Sequence, residues 1–118
     1  MAGVEINDFS SPDDVRTPDK TKVEVVKLAG GEVGRYTFQP GWRWSECIKP
    51  VVGGDSCQTD HIGYLVSGKM GVSHEDGTTG EVSPGSVYRI APGHDGWVIG
   101  DEPIVTIEFQ GAKHYAEG

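Results

Sequence analysis

The sequence has no apolar run approaching the roughly 18 residues that a membrane helix needs. Its first twenty residues, MAGVEINDFSSPDDVRTPDK, lack the basic start and apolar stretch of a secretory leader. The expected location is therefore the cytoplasm. Cysteine occurs only twice, at Cys47 and Cys57, and in that compartment two cysteines read as thiols or metal ligands rather than as a structural disulfide. Leucine is scarce, at Leu28 and Leu65 only, and no stretch sustains a helical period for two full turns. Basic residues are few as well: 10 against 18 acidic ones, a formal charge of −8. That sign repels nucleic acid and anionic membranes, so neither is an expected partner.

What is abundant is glycine, with 18 of 118 residues, and apolar residues that are mostly valine and isoleucine. This profile suits short strands joined by tight turns, and the length suits one domain. Residues 1–21 read as an extended arm, with room for a short edge strand and for one helical turn in SSPDDVR, capped by Ser11 with Pro12 at the first helical position. From residue 22 to 118 the chain reads as a barrel domain. KVEVVKL (22–28), EVGRYTF (32–38) and WRWSECI (42–48) alternate as strands, the last with Trp42, Trp44, Glu46 and Ile48 on one face and Arg43, Ser45 and Cys47 on the other. HIGYLVSG and KMGVSHE are strands on either side of Ser67-Gly68, and EDG (75–77) is a hairpin turn. A short strand in GEV, one in VYRIA, a turn at PGHDG, and strands in WVIG and IVTIEFQ (104–110) complete the series. The class is all-β, a sandwich or small barrel.

The glycine and proline punctuation goes further. PGWRWSECIKP supplies Gly41 and, after five residues, Cys47; HIGYLVSG sets His61 seven positions before Gly68; and SPGSVYRIAPGHDGW sets Gly85 five residues before Ala91-Pro92-Gly93. This order resembles the two motifs of the cupins, Gly…His-x-His…Glu…Gly and Gly…Pro-x-Gly…His…Asn, joined by a short hairpin. The resemblance covers about residues 22–110. It is similar in more detail to a subset of small bacterial cupins of unassigned activity, which share PGWRWSE, the SCQ…H.GY..SG segment and PGHD.W…GDEP. It implies a double-stranded β-helix or jelly-roll barrel with few or no helices, a metal site inside the barrel, and a homodimer formed through an exposed sheet or an exchanged N-terminal strand.

The family's three-His-one-Glu ligand set is not present as such. Cys47 stands where the resemblance places the first His, His61 stands in the slot of the Glu, and His94 lies two residues before the second-motif His position, which holds Gly96. In one register Cys57 and His61 keep the family's spacing, with Asp55 in the first slot; in the other Cys47 takes the first slot and the 50–60 loop is an insertion. The second suits the strand register, with Cys57 returning to the barrel mouth from the loop. The candidate metal ligands are thus Cys57, His61, His94 and Cys47, each with an ordinary alternative as a packed or turn-stabilising side chain. His74 and His114 read as exposed and carry no role. Thiolate with imidazole places Zn²⁺ ahead of Fe, Ni or Cu as the divalent metal.

Two classes of function follow. One is a metalloenzyme or binding protein for a small polar molecule, the metal acting as Lewis acid or activating water. The other is a non-catalytic metal, redox or ligand sensor, or a barrel whose site is vestigial. An open coordination position favours the first, a closed four-ligand site the sensor, and an empty barrel the vestigial site.

Overall fold

Strands form where polar and apolar residues alternate, and a computed structural model of the protein, describing residues 3–110, 112, 115 and 116, contains nine of them among those residues. They are β1 (Asp14–Arg16), β2 (Thr21–Leu28), β3 (Gly31–Phe38), β4 (His61–Ser67), β5 (Met70–His74), β6 (Thr79–Val82), β7 (Val87–Ile90), β8 (His94–Val98) and β9 (Ile104–Gln110). All pairings are antiparallel. One sheet runs β1-β2-β3-β9-β4-β7 and a second runs β6-β5-β8. They share one hydrophobic core, in which Val23, Val25, Tyr36, Phe38 and Leu65 of the larger sheet meet Met70 of the smaller. Among the described residues no helix is long and apolar enough to cross a membrane.

The strands on either side of Ser67-Gly68 belong to different sheets. Gly68 makes this change of sheet possible. Its φ is 80°, and a Cβ there would sit 2.5 Å from the Pro103 carbonyl oxygen and 2.7 Å from Ile104 Cα. Only glycine allows the chain to turn that sharply against the backbone entering β9.

Three local expectations change. The segment 10–16 does not form a helical turn capped by Ser11. Instead Asp14, Val15 and Arg16 pair with Val25, Glu24 and Val23 as the edge strand. The Asp13 N–H donates to the Val25 carbonyl at 2.8 Å and the Asp13 carboxylate accepts from Lys27 N–H at 2.6 Å, so hydrogen bonds to β2 replace those of a turn. WRWSECI is not a strand but leads into two helical turns, α1 (Trp44–Cys47) and α2 (Lys49–Val52). Trp44, Cys47 and Ile48 are buried together at the i, i+3, i+4 spacing of a helix, whereas strand alternation would have turned Glu46 inward with the tryptophans. Pro50 sits in the first turn of α2, where its fixed φ and missing N–H cost nothing. Finally, PGHDG is a turn only as far as Gly93; His94 and Asp95 already belong to β8, paired with His74 and Ser73 of β5.

Candidate metal centre

His61 opens β4 on its inward face, His94 opens β8, and Cys57 lies in the loop between α2 and β4. The loop is pinned to β8 by a bridge between Cys57 and His94: Cys57 N–H donates to the His94 carbonyl at 2.7 Å, and Gly93 N–H donates to the Cys57 carbonyl at 2.7 Å. All three side chains are buried, and their potential ligand atoms lie within 4.8 Å of one another. Cys57 Sγ is 3.7 Å from His61 Nε2, and the two imidazole centroids are 5.0 Å apart.

The orientation of each imidazole follows from its other nitrogen. His61 Nδ1 lies 2.7 Å from Glu108 Oε1, where an N–H donates to the carboxylate. His94 Nδ1 lies 2.7 Å from the Ala91 carbonyl oxygen, which can only accept. Both rings therefore keep Nε2 for the cluster, the arrangement in which an outer hydrogen bond sets tautomer and direction. Glu108 is itself buried on β9 and accepts a hydrogen bond from the Tyr88 hydroxyl, which also lies 2.7 Å from Thr106 Oγ1. Gly63 leaves the room this requires, since a Cβ there would sit 2.6 Å from the Tyr88 oxygen and 2.7 Å from the Ile107 carbonyl.

Electrostatically the cluster is a thiolate–imidazolium pair. Burial pushes the Cys57 thiol up, but hydrogen bonds from His61 and His94 outweigh it and bring it down to about 6. Burial likewise pushes His61 down, and the hydrogen bonds to Cys57 and Glu108 reverse this, lifting it to about 9. Burial holds the hydroxyls of Tyr36, Tyr88 and Tyr115 well above their ordinary range, so all three remain protonated.

The barrel interior beside the two imidazoles is small. A cavity of about 30 Å³ is walled by His61, His94, Tyr36, Trp42, Tyr88 and Tyr115, among others. Tyr115 and Trp44 also line a second cleft of about 410 Å³, together with Cys57, Gln58 and Thr59. Tyr115 stacks on Tyr36 with centroids 4.6 Å apart and lies 5.3 Å from the His61 ring. Arg16 of β1 holds Ala112 and Tyr115 against the larger sheet, its Nη1 donating to their carbonyls at 3.0 and 2.6 Å.

Among known structures, a cupin-like protein from Thermotoga maritima superposes with a TM-score of 0.53 at 20% identity, over 80% of this chain and 71% of that one. The chain has the cupin fold. A protein of unknown function from Rhizobium leguminosarum bv. viciae 3841 superposes with a TM-score of 0.64 at 17% identity, covering 91% of this chain and 95% of its own. KdgF from a Halomonas species gives 0.57 at 19% identity, over 83% and 87% of the two chains. At these identities the cupin likeness concerns fold and not activity. No protein-family model matches the sequence, and no curated protein is significantly similar to it.

Of the four residues proposed from sequence, the cupin barrel brings together Cys57, His61 and His94. Cys47 does not join them: it is buried in α1, packed in the core, and both cysteines are unpaired. The register with Cys47 in the first ligand slot fails because its segment is helical and presents no strand face. His74 is not an exposed bystander; its Nε2 donates to the Pro92 carbonyl at 2.7 Å and braces the turn before His94. His114 lies outside the described residues. Sequence reasoning missed Glu108, Tyr88 and Tyr115. None of the three had a readable signal: on β9 Val105, Ile107 and Phe109 form the more apolar face, so alternation alone turns Glu108 outward.

Proposed function

We propose that the protein is a small metal-binding cupin that binds or transforms a small polar molecule at Cys57, His61 and His94. One observation carries this: two buried imidazoles, each fixed through Nδ1, keep Nε2 for a cluster whose third member is a cysteine sulfur. One sulfur and two nitrogens suit Zn²⁺ ahead of Fe, Ni or Cu. Among the described residues no fourth His, Cys, Asp or Glu joins the cluster, which supports an open catalytic-type site over a closed sensor site. Bound there, a divalent metal would supply Lewis acidity or an activated water. The protein's own contribution is orientation through Glu108 and Ala91, and exclusion of bulk water by Trp44 and Tyr115.

Elemental analysis of protein purified without chelator or affinity tag is expected to find about one zinc per chain. Uptake by the metal-free form is also expected to release protons in a defined number. Between about pH 6 and pH 9 Cys57 is already a thiolate while His61 still carries its proton. The two groups together release about one proton per metal in that window, two below it and none above it. Titration in weakly buffered solution at pH 7.5 measures this, and absence of metal after reconstitution under reducing conditions overturns the reading.

The partner we propose is a second copy of the chain. On β4 and β9 the outward faces are apolar: Ile62, Tyr64 and Val66 beside Val105, Ile107 and Phe109, with Phe109 58% exposed. A solvated sheet face would alternate to polar residues here, and the arm adds Ile6, 90% exposed. Sedimentation velocity is expected to give twice the 12.7 kDa chain mass, and Phe109→Asp with Tyr64→Glu to give the monomer. A wild-type monomer at tens of micromolar overturns it.

A further inference from the structure

The core is left open to solvent along one seam. β6 and β7 follow each other in the chain but belong to different sheets, each at its edge. Between them lies a cleft of about 320 Å³. Its floor is Val72, Val82, Tyr88 and Ile90, side chains that pack on the core yet stay only partly buried. Val72, Tyr88 and Ile90 also wall the cavity of about 30 Å³ beside His61 and His94. Gly80 keeps the cleft open. It pairs with Val72, and residues directly opposite in a ladder share a face, so a side chain there would point into the cleft. A Cβ at Gly80 meets nothing within 4 Å, and no left-handed backbone conformation requires glycine at this position. Glycine weakens the inside of a strand, and what it supplies here is volume.

We propose that this cleft is the tail site for the metal centre's ligand. That ligand is an amphiphile with a short apolar tail between β6 and β7 and an uncharged oxygen head, hydroxyl or carbonyl, beside His61 and His94. The occupant follows from continuity: the shared wall residues join the cleft to the cavity, whereas a surface for another protein would not lead inward. The tail's character follows from the lining. The floor is apolar, and the charged side chains around it already have partners: Arg89 on Asp60 at 3.0 Å, Glu81 on Lys69 at 3.0 Å, and Asp76 on His74 at 3.1 Å. None of them is left to meet a charge on the tail. The head's size follows from the cavity, where about 30 Å³ is room for roughly one or two heavy atoms. The buried carboxylate of Glu108 on the same wall disfavours an anionic head. The inference deepens the metal-centre reading and rests on it for the place of the head, while the tail is read without the metal.

The test is titration with n-alkanols from ethanol to hexanol, followed at the amide resonances of Gly80 and Ala91 in ¹⁵N-labelled protein, metal-free and zinc-loaded. Zinc uptake is read separately by elemental analysis. The expected result is a saturating shift whose affinity rises about fourfold per added methylene and rises further with zinc. In Gly80→Val, read at Ala91, the gain with chain length is expected to disappear while zinc uptake stays at the wild-type level. Valine suits a strand, so this variant is expected to fold. Affinity independent of chain length in the wild type, or an equal gain in Gly80→Val, overturns the tail site. If zinc binds but leaves hexanol affinity unchanged, the head does not reach the metal: the joined site is overturned and the metal centre stands. If no zinc binds, the metal-centre reading fails, and the tail site stands or falls on the metal-free titration alone.

Discussion

His61→Ala is expected to fold and to lose zinc. Its Nε2 is one of the three proposed ligand atoms, and two remaining ligands cannot hold a metal against solvent and buffer. The expected fall in affinity exceeds the roughly 100-fold that changes behind the ligands produce. Elemental analysis and a competitive chelator titration measure it; zinc retained at wild-type stoichiometry would remove His61 from the site. The variant also leaves Glu108 without its imidazole partner, which costs stability by itself. His94→Ala separates the two effects, since it removes a ligand whose Nδ1 bonds only to a backbone carbonyl. It should lose zinc to a similar extent while leaving the His61–Glu108 pair in place.

Glu108→Ala is the second large effect, and its first consequence is on folding. The His61–Glu108 pair is almost fully buried, at 7% and 3% side-chain exposure. Removing one member of such a pair costs about 3–5 kcal/mol, because the other is left uncompensated. Here the Tyr88 hydroxyl loses its acceptor as well. Glu108→Gln keeps an acceptor for the His61 N–H without the charge, and should recover part of the loss. The pH dependence distinguishes charge from shape. His61 is raised from 6.5 to about 9 in the folded protein. Its contribution is therefore fully present below the unfolded value of 6.5 and is lost as pH rises through about 9. Glu108→Gln weakens that contribution, so its deficit against wild type should be larger at about pH 6 than at about pH 9.5. Denaturant unfolding of the metal-free proteins at the two pH values checks it. A deficit that does not change with pH would show Glu108 to be a packing and hydrogen-bonding residue only. In the zinc-loaded protein the same variants should weaken metal binding by about 10- to 100-fold.

The strand series is legible in local sequence pattern. The alternation in KVEVVKL, EVGRYTF and IVTIEFQ corresponds to β2, β3 and β9 almost residue for residue, because a period of two is a local property of the chain. The glycine order carries the fold for a related reason: Gly68 marks a turn that a side chain could not enter. Cys57 and His61, four residues apart, point to a shared site because the loop between them is short.

The remainder depends on contacts between distant segments. WRWSECI satisfies the strand pattern and the helix pattern alike, and only the burial of Trp44, Cys47 and Ile48 against the barrel decides for the helix. That choice removes Cys47 from the site. On β4 and β9 the more apolar face is the outward one, so an assignment of the core by hydrophobicity would have turned Glu108 to solvent and Phe109 inward.

By itself the sequence determined the strand series, the turns and the supply of thiol and imidazole, since each is set within a few neighbouring residues. The tertiary structure decided which of those groups meet. His61, His94 and Glu108 are brought together from three strands, with Cys57 held against β8 by backbone bonds. Local pattern cannot encode such a meeting, because sheet order and strand facing are set by packing across the whole barrel.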